Sequence, residues 1–233
     1  MNIIWNKKTY KEFLNYLFTL KDENYALFHH KLLKNDEIKV IGIRTPILKK
    51  IAKNIVKTDY LAYIKLNNHT YYEEIVLHGL VVTNLKIDFN ESLKLFDEYI
   101  KHIDSWASCD LVVSNYKLFK NNLDMGYIKI KEYLSNINPW INRVGLVVLL
   151  TYYINDDYID KVLKICMNYN NDHYYVKMAN AWLISICLIK YYDKTKKELL
   201  NSNLDDWTYN KAIQKAIESY RIINKDDLRK MKR

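Results

Sequence analysis

The stretch Asn138-Pro139-Trp140-Ile141-Asn142-Arg143-Val144-Gly145-Leu146-Val147-Val148-Leu149-Leu150 indicates most clearly which fold this chain adopts. An asparagine followed by proline is typical of a helix start, because the amide side chain can cap an early N–H and proline fits the first turn. The segment from 144 to 150 is apolar on nearly every side, so the predicted helix must be covered by neighbouring elements. The stretch therefore predicts an inner helix of a helical stack.

Helical signals of the same kind recur along the chain. Residues 70–73 match a capping box, with Thr70 as the N-cap and Glu73 at the third helical position. From Thr70 onward the apolar spacing predicts helices in pairs of about 35 to 40 residues, which is the period of HEAT-like repeats. The predicted pairs are 71–83 with 89–103, 105–120 with 124–135, 139–154 with 157–168, and 173–191 with 194–200.

Composition agrees with an all-helical protein. The 233 residues include only two prolines and four glycines, too few for the turns of a β-sandwich or a doubly wound α/β fold. We therefore predict an all-α fold: a right-handed HEAT-like or armadillo-type solenoid with a concave basic groove. It forms one domain over residues 1–233, with repeats clearest from about 70 to 220. A globular helical bundle is the alternative, but it gives no reason for the pairing.

Charge and cysteine usage narrow the functional classes. The 36 basic and 27 acidic side chains give a formal charge of +9, which suits a polyanionic partner, although a merely solvated surface is the alternative. Three cysteines without a C-x-x-C pair are expected to be buried free thiols. Without a signal peptide or an apolar run of about 18 residues, the chain is expected to be soluble and cytoplasmic.

Histidine spacing gives no indication of a metal enzyme. His29, His30, His69, His78, His102 and His173 include no H-x-x-x-H pair or comparable ligand spacing. We therefore expect no metal and no cofactor, and a metal hydrolase is a distant alternative.

Arginine is scarce, and its positions are informative. Only five of the 36 basic residues are arginines, and Arg44 and Arg143 are the two within the first 220 residues. Lysine carries the same charge but lacks the planar fork that binds a phosphate through two hydrogen bonds. Arg44 and Arg143 are therefore candidate phosphate contacts, while Arg44, just before Pro46, could equally brace the fold.

Aromatic and charged residues recur on three of the predicted helices. Trp106 and Asp110 are four positions apart and share one helix face. Trp140 and Arg143 lie on the opening turns of another helix, and Trp182 lies on a third. A tryptophan in an apolar helix is usually a core residue. An aspartate between apolar neighbours is unfavourable unless something binds it, either a ligand or a neighbouring helix.

Four motifs together resemble the DNA alkylation repair family, whose members are HEAT-like DNA glycosylases that release alkylated purines. They are Trp106-x-x-x-Asp110, Trp140-x-x-Arg143, Tyr175-Val-Lys-Met-Ala-x-Ala-Trp182, and Gly42-Ile-Arg-Thr-Pro46 with Leu48-Lys-Lys-Ile-Ala52. They occur in the order and spacing of that family, and the resemblance spans roughly residues 25 to 220 of the chain.

The resemblance implies a site and a partner. Asp110 would lie beside the deoxyribose of the lesion, and Trp106 and Trp182 would flank that sugar. The implied DNA-binding residues are Arg143, Trp140, Arg44, Thr45, Lys177 and Lys211. The implied partner is double-stranded DNA with alkylated bases, bound by a monomer that uses no metal and does not flip the damaged base.

Elementary chemistry makes this arrangement sensible. A purine alkylated at N3 or N7 is cationic, so breaking its N-glycosidic bond expels a neutral base and moves positive charge onto the sugar. A fixed carboxylate and two indole faces would stabilise that charge without a general acid. Asp110 could also orient the attacking water, a second function for the same residue.

One departure keeps another class of function open. Ser185, one turn beyond Trp182, stands where a basic residue would favour DNA contact. The motif around Cys109 also looks closer to a branch whose members are not reliably glycosylases. The alternative is therefore a non-catalytic HEAT-like module that binds nucleic acid or a protein through the same groove.

Overall fold

The computed structural model describes residues 3–33 and 35–233. Over these ranges the chain forms fifteen α-helices and one short 3-10 helix, and the described residues contain no β-strand beyond an isolated bridge between Lys39 and Tyr71. The all-α prediction is confirmed. No helix in the described part of the chain is long and apolar enough to cross a membrane. The chain divides into two compact units, Met1–Leu118 and Phe119–Arg233.

The first unit is built around one fully buried helix, α5. Its helices are α1 (Lys7–Thr19), α2 (Glu23–Leu33), α3 (Thr45–Ile55), α4 (Tyr60–Leu66), α5 (Tyr72–Thr83), α6 (Phe89–Tyr99), a 3-10 turn (Ile100–His102) and α7 (Trp106–Val113). Every residue of α5 is buried, and α3, α6 and α7 pack against it. The predicted pair 71–83 with 89–103 therefore corresponds closely to α5 and α6.

The predicted capping box at the start of α5 is wrong by one residue. The carboxylate of Glu74, and not that of Glu73, accepts the N–H groups of Thr70 and Tyr71, each at 3.0 Å. Glu74 also accepts the hydroxyl of Tyr10 from α1. The T-x-x-E pattern indicated the wrong glutamate, because the side chain of Glu73 points instead to the segment before α3.

Glu73 fixes that segment through its backbone. Its carboxylate oxygens accept the N–H groups of Ile41 at 2.8 Å, Gly42 at 2.7 Å and Ile43 at 3.1 Å. Gly42 has φ +100°, and a Cβ there would lie 2.6 Å from the Cβ of Ala26. Only glycine fits this conformation and this space, so the Gly42 to Pro46 motif has a structural basis at its first residue.

The predicted helix 105–120 is shorter than expected. It ends at Val113 because the side chains of Ser114 and Asn115 donate to the carbonyl of Leu111, at 3.0 and 2.6 Å, and compete with the next helical turn. The short helix α8 (Leu118–Asn121) follows. α7 is consequently a helix of eight residues that carries Trp106 and Asp110.

The second unit is arranged around α12. Its helices are α9 (Leu123–Leu134), α10 (Pro139–Tyr152), α11 (Ile159–Cys166), α12 (Tyr174–Lys190), α13 (Tyr192–Leu200), α14 (Asp206–Glu218) and α15 (Lys225–Lys230). α12 packs against α10, α11, α13 and α14. The predicted start of α10 is confirmed: Asn138 Oδ1 accepts the N–H of Trp140 at 2.9 Å, and Pro139 is the first helical residue.

Two buried asparagines show a repeated construction in this unit. The amide of Asn142 donates to the carbonyls of Tyr133 and Asn136 at 2.9 and 2.8 Å, at the end of α9. The amide of Asn180 donates to Cys166 and Tyr169 at 2.9 and 3.0 Å, at the end of α11. The two residues are 38 positions apart (180 − 142), so α10 and α12 are each joined to the end of the preceding helix by the same contact. All three cysteines of the chain are buried thiols outside any disulfide, as predicted.

Candidate functional site

A surface cavity of about 200 Å³ lies in the first unit. Four helices, α2, α3, α5 and α7, contribute its walls, which are mainly aromatic and aliphatic. The lining residues are Tyr25, Phe28, His29, Leu32, Thr45, Tyr72, Trp106, Ala107, Asp110 and Leu111. Three residues predicted from the sequence, Thr45, Trp106 and Asp110, therefore meet at one cavity.

α7 presents Trp106 and Asp110 because its start and its position are both fixed. Ser105 caps the helix, its Oγ accepting the N–H of Ser108 at 3.3 Å. The hydroxyl of Tyr99 then donates to the carbonyl of Ser108 at 3.0 Å. Since Trp106 and Asp110 are one turn apart, the fixed helix brings both side chains to the cavity.

The floor of the cavity is formed by Tyr72 and His29, whose ring centroids are 4.4 Å apart at 69°. Burial raises the pKa of Tyr72, and the charges of neighbours that include Asp104 and Asp110 raise it further. Burial also lowers the pKa of His29, so its ring is neutral at pH 7. Among the described residues that line the cavity, Asp110 carries the one carboxylate, and none is a lysine or an arginine.

Arg44 does not line this cavity although its neighbour Thr45 does. Its Nε and Nη2 donate to Asp22 Oδ2 at 3.0 and 2.7 Å, and its guanidinium lies over the ring of Tyr25. The backbone N–H of Tyr25, and after it the Arg44 guanidinium, lower the pKa of Asp22. This is the bracing contact that the sequence left open, while 60 % of the Arg44 side chain still faces solvent.

Trp140 and Arg143 lie in the second unit. Trp140 stacks on Tyr175, with centroids 5.3 Å apart at 29°. Arg143 is only 4 % exposed, and its Nη1 donates to the carbonyl of Tyr175 at 2.6 Å. Both residues therefore join α10 to the start of α12, and Arg143 is far less accessible than a simple phosphate clamp would require.

Arg143 nevertheless belongs to a group of cations. Burial lowers the pKa of Lys215 on α14; the charge of Glu218 opposes this effect, and the charges of Lys211 and Arg143 lower the pKa further. Lys211 itself is part-exposed and donates to Gln214 at 3.2 Å. Lys215 is a residue that the sequence analysis did not single out, although it follows Lys211 by one helical turn.

The two remaining predicted residues, Lys177 and Trp182, lie on α12. Lys177 forms an ion pair with Asp205 at 2.8 Å and lies over the ring of Trp207. Trp182 is half-buried in the middle of the helix. Ser185 is 2 % exposed and its Oγ donates to the carbonyl of Trp182. The serine hydroxyl is thus buried and bonded within its own helix.

The other seven lining residues were not singled out from the sequence; the polar ones among them are Tyr25, His29 and Tyr72. Tyr25 and His29 are four positions apart on α2, a face that was detectable, but nothing in the sequence assigned that face to Asp110. The spacing of the histidines along the chain gave no sign of a cluster, yet ligand atoms of His69, His78 and His102 lie within 4.8 Å of one another. Their separations along the chain, 9 and 24 residues (78 − 69 and 102 − 78), match no common ligand motif.

Comparison with known families gives a clear result. The curated proteins include no match to this chain. A family model described as DNA alkylation repair enzyme matches residues 14–215, which is most of the chain and includes both units. The chain therefore belongs to the family of DNA alkylation repair enzymes.

Proposed function

We propose that this protein is a DNA glycosylase that hydrolyses the N-glycosidic bond of cationic N3- or N7-alkylated purines in double-stranded DNA. The observation that supports this most directly is the meeting of Trp106 and Asp110 at one aromatic cavity. The reaction needs neither a metal ion nor flipping of the damaged base.

The chemistry of the cavity suits a cationic lesion. Its aromatic rings offer electron-rich faces, and Asp110 offers a negative charge where positive charge develops on the sugar. A cavity of about 200 Å³ is smaller than the roughly 300–1,000 Å³ of ordinary ligand pockets, so it would hold part of a nucleotide. Such a partial fit agrees with a lesion that stays in the duplex.

We further propose that the paired helices stack as a right-handed HEAT-like solenoid, in one domain with a concave basic groove. The repeated contacts of Asn142 and Asn180 support this stacking within the second unit. The formal charge of +9 supports a DNA partner. In this proposal the protein acts as a cytoplasmic monomer on double-stranded DNA that contains alkylated bases.

The second unit contributes the larger part of phosphate binding in this proposal. The charges of Arg143 and Lys211 repel that of Lys215, and a bound phosphate would relieve this repulsion. Trp182, Trp140 and Lys177 contact the DNA backbone or sugar, and Thr45 contacts DNA from the first unit. Arg44 contributes less to phosphate binding, because its guanidinium is already paired with Asp22, although 60 % of its side chain is exposed.

Base release from methylated duplex DNA tests the proposed activity. The wild type should release 3-methyladenine or 7-methylguanine, and Asp110→Asn should be slower by a factor of about 10² to 10³, the typical loss for one preorganised electrostatic partner. Asp36→Asn is the matched control, since the Asp36 side chain is 99 % exposed. If the wild type releases neither base above the spontaneous rate, the proposed activity is wrong for these lesions.

A non-catalytic binding module is the second candidate, and one observation favours it. Leu27, Phe28 and Leu32 on α2 are 63, 60 and 45 % exposed beside the cavity, an apolar surface that a partner could cover. If the wild type and Asp110→Asn bind alkylated duplex equally and neither releases a base, this candidate replaces the first.

A further inference from the structure

Three histidines of the first unit form a cluster outside the cavity. The Nε2 atom of His69 lies 2.8 Å from Nδ1 of His78, and the ring of His69 stacks on that of His102 with centroids 3.6 Å apart. One ligand atom from each ring lies within 4.8 Å of the others. The three residues come from different elements: the loop before α5, the middle of α5 and the 3-10 turn after α6.

The backbone at His69 is held in an unusual conformation to achieve this. His69 has φ +53°, the one described non-glycine residue in the left-handed region. Asn67 holds the loop from both sides: its Oδ1 accepts the N–H of His69, and its Nδ2 donates to the carbonyl of Glu74, each at 2.9 Å. Such strain persists where the surroundings impose it, and it often marks a functional position.

The ring nitrogens of His69 and His78 already face each other at 2.8 Å and share one proton. When an ion binds between them, that proton moves to a far ring nitrogen, so both facing nitrogens can act as ligands and no proton is released.

We propose that His69, His78 and His102 form a binding site for one divalent transition metal ion, with Zn²⁺ as the ion that fits the ligands best. Three neutral imidazoles are a common zinc ligand set, and a water molecule completes the tetrahedron. Nitrogen atoms that bind one zinc ion at about 2.0 to 2.1 Å lie roughly 3.3 Å apart in that geometry. The observed separations, from 2.8 Å to at most 4.8 Å, bracket this distance.

The burial of the three rings indicates the side from which an ion would enter the site. His78 is buried, His69 is half-buried and His102 is exposed. The ion would enter past the exposed ring of His102, which would have to turn out of its stack on His69, and the water ligand would face solvent. Because His102 is four residues before Trp106, a bound ion would tie the start of α7 to α5 and to the loop before it.

Metal titration of the full chain tests this site. Protein freed of metal with a chelator is titrated with Zn²⁺ by calorimetry and with Co²⁺ by visible absorption. We expect one ion per chain, a tetrahedral Co²⁺ spectrum that Zn²⁺ abolishes, and a higher unfolding temperature with Zn²⁺. His102→Ala should weaken Zn²⁺ binding by at least about tenfold, because it removes one of three ligands.

Two further variants keep the test decisive. His69→Gly removes a ligand while glycine keeps the left-handed backbone, so it should also lose the ion without losing the fold. His30→Ala is the control, since the His30 side chain is 42 % exposed on α2 and outside the cluster. Wild-type binding no tighter than that of His102→Ala, or an equal loss in His30→Ala, would overturn the proposal. Neither result depends on base release.

Discussion

The Oε1 atom of Glu73 accepts the backbone N–H of Gly42 at 2.7 Å, and this contact joins α5 to the segment that begins α3. Glu73 is completely buried, and its carboxylate serves three consecutive N–H groups. Burial raises the pKa of Glu73, and the three N–H donors oppose that shift. Thr45, which lines the cavity, lies two residues after this segment. Its position therefore depends on the carboxylate of Glu73, although Glu73 itself is not among the residues that line the cavity.

Glu73→Gln should therefore destabilise the protein by about 3 kcal/mol, since an amide group replaces one acceptor oxygen and leaves a buried N–H without its partner. Urea unfolding followed by circular dichroism measures the change. Glu12→Gln on the exposed face of α1 is the control and should change stability by less than about 0.5 kcal/mol. Equal stabilities of the two variants would show that the carboxylate does not hold the 41–43 segment.

Gly79 permits the close packing that positions α7. A Cβ at this position would lie 2.5 Å from Cζ of Tyr99 and 2.7 Å from Cγ1 of Val112. Gly79→Ala should cost about 1 to 3 kcal/mol through overpacking, despite the better helix propensity of alanine.

Gly145→Ala is the matched comparison for this prediction. A Cβ at Gly145 would lie 3.0 Å from Cδ2 of Leu134 and no closer to any other atom, so Gly145→Ala should cost less than Gly79→Ala. Thermal unfolding of both variants checks the difference. If Gly79→Ala were as stable as Gly145→Ala, the approach of Tyr99 would not constrain α5.

Helices of this chain were predictable where they have a local cause. Asn138 and Pro139 start α10 through a cap and a fixed φ, and residues 144–150 of the same helix are apolar enough to require burial on nearly every side. The pair Trp106 and Asp110 was predictable for the same reason, since a spacing of four residues places them on one helix face.

The partners of those elements were not predictable, since they depend on contacts between distant residues. Glu73 and Glu74 are adjacent and chemically identical, yet one caps α5 and the other binds the segment at 41–43. Arg143 looked like an exposed cation because its sequence neighbours do not reveal that Tyr175 covers it. Likewise, no local spacing connects His69, His78 and His102.

The pH dependence of stability should report on His29. Burial lowers its pKa, so the unfolded chain binds a proton more readily than the folded chain. Its contribution to stability is therefore present above the unfolded pKa of about 6.5 and is lost as the pH falls, by less than about 1.4 kcal/mol per pH unit.

His29→Phe removes this titrating group from the apolar site. The drop in free energy of unfolding between pH 7 and pH 5 should be smaller in the variant than in the wild type, as measured by urea unfolding at both values. The other histidines are common to both proteins, so the difference isolates His29. If both proteins lost the same free energy of unfolding between pH 7 and pH 5, the pKa of His29 would not be lower in the folded state than in the unfolded chain.

Arg143 should prove important for the fold of the second unit as well as for DNA. Its Nη1 donates to the Tyr175 carbonyl at 2.6 Å while the residue is 4 % exposed. Arg143→Lys keeps the charge but loses the planar fork, so it should destabilise the unit by about 1 to 3 kcal/mol. Thermal unfolding without DNA checks this. An unchanged unfolding temperature would assign Arg143 to ligand contact alone.

Salt dependence separates phosphate contacts from structural ones. If Lys211 neutralises one phosphate, Lys211→Ala should reduce the slope of log K against log salt by about 0.9 for duplex DNA. Its intramolecular contact is a weak bond to Gln214 at 3.2 Å, so the fold should be unaffected. Lys8→Ala, at an exposed position of α1, is the control and should leave the slope unchanged. Fluorescence anisotropy with alkylated and unmodified duplexes measures both slopes. An equal slope change in both variants would show diffuse charge attraction, whereas a change in Lys211→Ala alone supports a specific phosphate contact on α14.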